Sequence, residues 1–159
     1  MRAAVLCLFL VAACGGPKAA SQGRPEEVAK ATFEALKAGG IVALEPHLMT
    51  AEERKKVTGV DLDDSAERER WETHIVRHHE RLNVDWETAA PGAMKVKYDP
   101  MGVGAVVNLA ITSSRGTVTV DVAVTKVGRR FVFADVKAGV GAETKQAAPE
   151  PEDDAGGGG

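Results

Sequence analysis

Two polar side chains fall where the hydrophobic pattern of this chain asks for apolar ones, His78 and Asp135. A carboxylate beside an imidazole, both drawn out of water, is how proteins build a general base. The plainer reading makes each a core-edge group with a single hydrogen bond, or sets Asp135 at a sheet rim beside solvent, and it is the one adopted. His74 and His78 also stand one helical turn apart, the spacing of two zinc ligands on a helix, but no third ligand accompanies them. His79-Glu80-Arg81-Leu82-Asn83 carries Asn where the H-E-x-x-H motif needs its second His, so no metal is expected there. No serine-nucleophile motif is present, and Met101-Gly102-Val103-Gly104 reads as a hairpin rather than a phosphate loop. No cofactor is expected, and the chain is read as more consistent with a non-enzyme.

The elements that must hold these residues follow from periodicity. Pro25, Glu26 and Glu27 suit a first helical turn and Gly39-Gly40 a stop, which predicts a helix from Pro25 to Ala38. A short helix is expected from Val42 to Leu48. Thr50-Ala51-Glu52-Glu53 has capping-box spacing and opens a brief helix that Gly59 ends. A longer helix opens at Asp64-Ser65-Ala66-Glu67 and runs to about Asn83, with Trp71, Ile75, His78 and Leu82 on one side. From Met94 the period becomes two, giving strands near 94–99, 103–113, 116–126 and 129–137. The turn at Ser114-Arg115 sets Leu109 opposite Val120 and Val107 opposite Val122. The turn at Val127-Gly128 sets Val122 opposite Phe133, Val124 opposite Phe131 and Val120 opposite Asp135. Asp99 facing Gly102 sets Tyr98 opposite Val103 and Met94 opposite Val107. The fold class is α+β, N-terminal helices packed on a four-stranded antiparallel meander with one packed face.

The other sheet face carries Lys95 and Lys97 but also a cross-strand row of Val106, Ala123 and Val132, with Ala110, Ala134 and Val136 nearby. Such a row must be covered, by the protein's own helix or by a second subunit or protein partner. On the packed side, Trp71, Ile75, Leu82, Phe131 and Phe133 are the residues that would line a pocket. A closed pocket there would favour a small apolar ligand, whereas an interior filled by these side chains would favour a protein partner.

The net charge of −3, from 20 Lys+Arg and 23 Asp+Glu, gives no basic footprint for nucleic acid. At the N-terminus, Arg2 precedes an apolar run from Ala3 to Ala13, the form of a secretory signal. A helix of about 12 residues reaches about 18 Å, short of a hydrocarbon core of about 30 Å. Val11-Ala12-Ala13-Cys14 resembles the lipobox of bacterial lipoproteins. The resemblance implies cleavage before Cys14, a thioether-linked diacylglycerol and an N-acyl chain on that cysteine, and anchoring in a bilayer. Cys7 would leave with the signal and Cys14 would be consumed by lipid, so the mature chain has no free thiol and no disulfide. In a host with two membranes, Gly15 is not the Asp that typically retains lipoproteins in the inner one, which implies the outer membrane, facing the periplasm. Residues 14–24 then read as a small, polar tether, 25–138 as the domain, and 139–159 as a disordered acidic, Gly-rich tail.

The body, from Pro25-Glu26-Glu27-Val28 through Phe33-Glu34-Ala35-Leu36-Lys37-Ala38-Gly39 and the following short helix to the closing Gly128-Arg129-Arg130-Phe131-Val132-Phe133-Ala134-Asp135-Val136, resembles the cone-shaped nuclear transport factor two-like, or SnoaL-like, superfamily. That superfamily includes binding modules, dimerisation domains, isomerases and dehydratases, so the resemblance assigns no function by itself. The expected function is a lipid-anchored periplasmic binding or interaction domain. The alternative is a small isomerase or dehydratase with His78 and Asp135 as acid and base in an apolar pocket.

Overall fold

The computed structural model describes residues 23–139. The signal segment, Cys14, most of the tether and the acidic tail lie outside the described residues. Helix α1 spans Pro25–Ala38, with the Glu27 carboxylate accepting from the Arg24 N–H at 3.1 Å. Gly39 ends it in the left-handed conformation at φ 62°. The His79 imidazole lies against Gly39, and its Nδ1 donates to the Leu36 carbonyl at 2.6 Å. A histidine from a distant helix thus adds a second donor to a terminal carbonyl that otherwise accepts only the Gly39 N–H at 3.2 Å. Trp86 stacks on the same imidazole and donates from Nε1 to the His79 carbonyl, while Lys37 donates to the Ala89 carbonyl.

The expected helix from Val42 to Leu48 is only a 3₁₀ turn, Glu45–His47. Pro46 has no N–H to donate back to Val42, so an α-helical ladder cannot be built there. Helix α2, Ala51–Thr58, has the expected reciprocal cap: Thr50 Oγ1 accepts from the Glu53 N–H and the Glu53 carboxylate accepts from the Thr50 N–H. Helix α3, Asp64–Arg81, is capped one residue earlier than expected, by Asp63, whose carboxylate accepts from the Ala66 N–H at 2.8 Å.

The sheet is an antiparallel meander in the order β1 (Ala90–Tyr98), β2 (Gly104–Ser113), β3 (Gly116–Val127), β4 (Arg130–Ala138). The central hairpin has the expected register, with Leu109 opposite Val120 and Val107 opposite Val122. The first hairpin is shifted by two residues, so that Tyr98 faces Ala105 and Met94 faces Leu109. Its turn is wider because Asp99 and Gly104 close it through an N–H to carbonyl bond at 2.9 Å, with Gly102 at φ 69° inside. A shift of two preserves the faces. Val28, Phe33 and Leu36 of α1 join Val107, Leu109, Ile111, Val120 and Val122 in one buried cluster.

The last hairpin departs from expectation in a way that matters for the site. Val127 pairs with Arg130, placing the turn at Gly128-Arg129, and Val124 therefore faces Phe133 rather than Phe131. Between Phe133 and Asp135 the strand carries a β-bulge at Ala134, after which Asp135 faces Ala123 and Val136 faces Val122. One extra residue flips every later side chain. Val136, expected on the outer face, is fully buried in the core. Asp135, expected on the apolar face opposite Val120, stands on the outer one.

Candidate functional site

The bulge turns Asp135 toward α3. Its Oδ1 lies 3.1 Å from Nε2 of His74 and accepts from the Val136 N–H at 2.9 Å. The same Nε2 lies 3.2 Å from the Val136 carbonyl. Both neighbours are acceptors, so Nε2 carries the proton and donates. The partner of Asp135 is therefore His74 and not His78. His78 sits one turn further along α3, its ring edge-on to that of His74 with centroids 4.6 Å apart. The sequence pattern points to His78, which lies in the apolar stripe of α3, whereas the structure pairs Asp135 with His74 one turn earlier.

An open groove of about 620 Å³ runs beside this pair, between α3 and β4. It is lined by Arg70, Trp71, His74, Arg77 and Asp135, with Glu69, Thr73 and two alanines. Arg70 lies over the Trp71 ring at 4.8 Å, and Lys137 reaches the second Asp135 oxygen at 3.4 Å. An imidazole held by a carboxylate is oriented to exchange a proton. The groove supplies no activated nucleophile, since its one hydroxyl, Thr73 Oγ1, donates to the Glu69 carbonyl at 3.0 Å. Among the described residues no group of three or more His, Cys, Asp or Glu side chains is arranged to hold a metal ion.

No family model, curated protein or solved structure matches this chain. Its chemistry rests on these residues alone.

The expected pocket does not form around the residues named for it. Ile75, Leu82 and Phe133 are buried within the core cluster, Phe131 packs against it half-buried, and Trp71 alone of the five lines the groove. Trp71 meets Phe133 edge to face at a centroid distance of 5.0 Å. The outer row is also rearranged. Val106 is exposed and Ala123 half-buried, while Val132, opposite Thr125 rather than Ala123, is fully buried and offers no surface to a partner. Arg130, on the same face two residues earlier, reaches the Glu53 carboxylate of α2 at 2.6 Å and the Pro46 and Leu48 carbonyls. The protein's own α2 segment thus lies against that end of the sheet.

A second polar cluster escaped the sequence reading. Arg54 is the only buried residue of α2, at 4 % exposure, and faces Glu67 of α3, at 7 %. Its Nε lies 3.6 Å from the Glu67 carboxylate, and its Nη atoms donate to the Met49 and Leu62 carbonyls and to Asp64. The Trp71 indole donates to Glu67 at 2.6 Å. Glu67 stands one helical turn before Trp71, so the buried stripe of α3 begins one turn earlier than apolar residues alone suggest.

Burial holds His78 below the ordinary imidazole value of 6.5; His74, Arg81 and Arg77 act in the same direction and Asp135 opposes them. His47 is lowered as well, chiefly by burial, with Glu27 opposing and Arg130 assisting. Below 6.5 the unfolded chain therefore binds more protons than the folded one, and stability falls as pH drops through the folded values. Melting temperature should be level above about pH 7 and decline on acidification. The His78→Leu variant should decline less steeply, and an unchanged acid limb in that variant would refute the assignment.

Proposed function

We propose that this protein is a lipid-anchored binding domain, held at a membrane through Cys14, on the periplasmic side of an outer membrane. The observation that carries the binding reading is the filled interior. Trp71, Ile75, Leu82 and Phe133 pack on one another and on α1, leaving a groove open to solvent rather than an enclosed chamber for a small apolar substrate. Val11-Ala12-Ala13-Cys14 supports the anchor, and no helix among the described residues is long and apolar enough to cross a membrane. The surface offered to a protein partner is the α3–β4 groove, where Arg70, Arg77 and His74 alternate with Glu69 and Asp135.

The His74–Asp135 pair favours one second reading, proton transfer in the open groove, with His74 in the role first given to His78. Native mass spectrometry separates the two. A mass excess lost on denaturation would favour the small-molecule reading, and a bare chain the protein-partner reading. For the anchor, the chain extracted from its membranes should begin at Cys14 and carry diacylglycerol, and Cys14→Ser should abolish retention through a carbonate wash. A carbonate-extractable wild-type chain would overturn it.

A further inference from the structure

One end of the sheet carries an apolar patch that the α3–β4 groove does not include. Tyr98, Met101, Val103 and Val106 from the first hairpin and Val57 from α2 are exposed, Met101 at 84 %. All but Met101 line a shallow depression of about 760 Å³ together with Ala123, and its charged residues are Lys97, Lys126 and Asp99. Asp99 is exposed, its carboxylate accepting from the Met101 N–H at 2.7 Å within the turn. With two lysines against one aspartate, the net charge of the rim is positive.

The chain reaches the body at this same end. The Gly23 carbonyl accepts from the Phe131 N–H at 2.8 Å, and the Phe131 ring lies 6.2 Å from that of Tyr98. Cys14 is only nine residues before Gly23, so full extension of that segment gives at most about 30 Å. A body tied to a bilayer through Cys14 must meet it with this end nearer than the opposite one, where Ser114 and Arg115 turn. Exposed apolar side chains flanked by lysines are the composition that partitions into an anionic headgroup region.

The geometry points to a phospholipid surface as the occupant of this patch: Tyr98, Met101 and Val103 enter the interface, and Lys97 and Lys126 meet headgroup phosphates. This rests on the anchoring reading and adds that the body lies against the bilayer, with the α3–β4 groove left open.

The test uses the acylated chain reconstituted in vesicles whose lipids are brominated on the acyl chain. The Met101→Trp variant reports contact by quenching. Strong quenching is expected in mixed phosphatidylethanolamine and phosphatidylglycerol vesicles, and weak quenching in phosphatidylcholine alone. Adding Lys97→Gln and Lys126→Gln should lower the docked-to-free ratio about thirty-fold at low salt. An unchanged melting temperature shows that these surface variants fold. Emission unquenched in both vesicle types, with the lipid present by mass, would overturn the docking while leaving the anchor intact. A mass without lipid would remove the anchor instead. Cosedimentation of that same chain with anionic vesicles then decides the surface, upheld if the two glutamines abolish binding and overturned if no binding occurs. Concentration-dependent doubling of the solution mass, reversed by Met101→Glu, would overturn it in favour of a second copy.

Discussion

Replacing Glu67 with Ala should destabilise the fold by about 2–4 kcal/mol, because it removes the buried carboxylate facing the Arg54 guanidinium and leaves only that of the exposed Asp64. Arg54 cannot escape to solvent: its side chain is 5 % exposed and tied to the Met49 and Leu62 carbonyls. The Trp71 indole loses its acceptor in the same variant. The double replacement Arg54→Met and Glu67→Leu should recover most of that loss, since apolar side chains of similar volume remove both charges together. Urea unfolding measures both. A single variant within about 0.5 kcal/mol of the parent would show that water reaches the pair.

Phe133→Ala should be at least as damaging, at about 3–5 kcal/mol, from lost burial and the cavity left behind. The side chain is 1 % exposed. It also provides the edge-to-face contact with Trp71, which fastens α3 to β4 just before the bulge. The half-buried Phe131, replaced in the same way, should cost distinctly less. The comparison bears on function as well as stability. If Phe133→Ala unfolded with a loss of about 1 kcal/mol or less, the interior would have room around that ring, and the small-molecule reading would gain over the filled core.

The parts of the fold that were legible in the sequence are those with local signals. The α+β order, α1 with its glycine stop, the Thr50 cap and the Ser114-Arg115 turn each have their cause within a few residues. The β3–β4 register was not legible. A turn at Gly128-Arg129 and one at Val127-Gly128 use the same glycine, and Ala134 carries no Gly or Pro to announce a bulge. Asp135 stands out in the sequence as an anomaly, but its face depends on the bulge, and its partner His74 lies outside the apolar stripe that points to His78. Arg54 was hidden for another reason. In α2, Val57 is exposed while a charged residue is buried, so hydrophobic pattern points to the wrong side of the helix. Only the tertiary partner, Glu67, reveals it. His79 looked like a fragment of a metal motif and proved to be a cap for α1.

The two borders of the sheet are guarded by different means. On β1 the guard is chemical and permanent: Lys95 and Lys97 are exposed, and Pro91 sits at an irregular start. On β4 it is a removable cover, because His74 of α3 occupies the Val136 carbonyl and the Gly23 carbonyl occupies the Phe131 N–H. Another strand can add along that border only after α3 and the segment at Gly23 have lifted away. Self-assembly through that border would accordingly begin from a half-open species with its meander intact, so the seating of these covers bears on aggregation alongside the stability of the sheet.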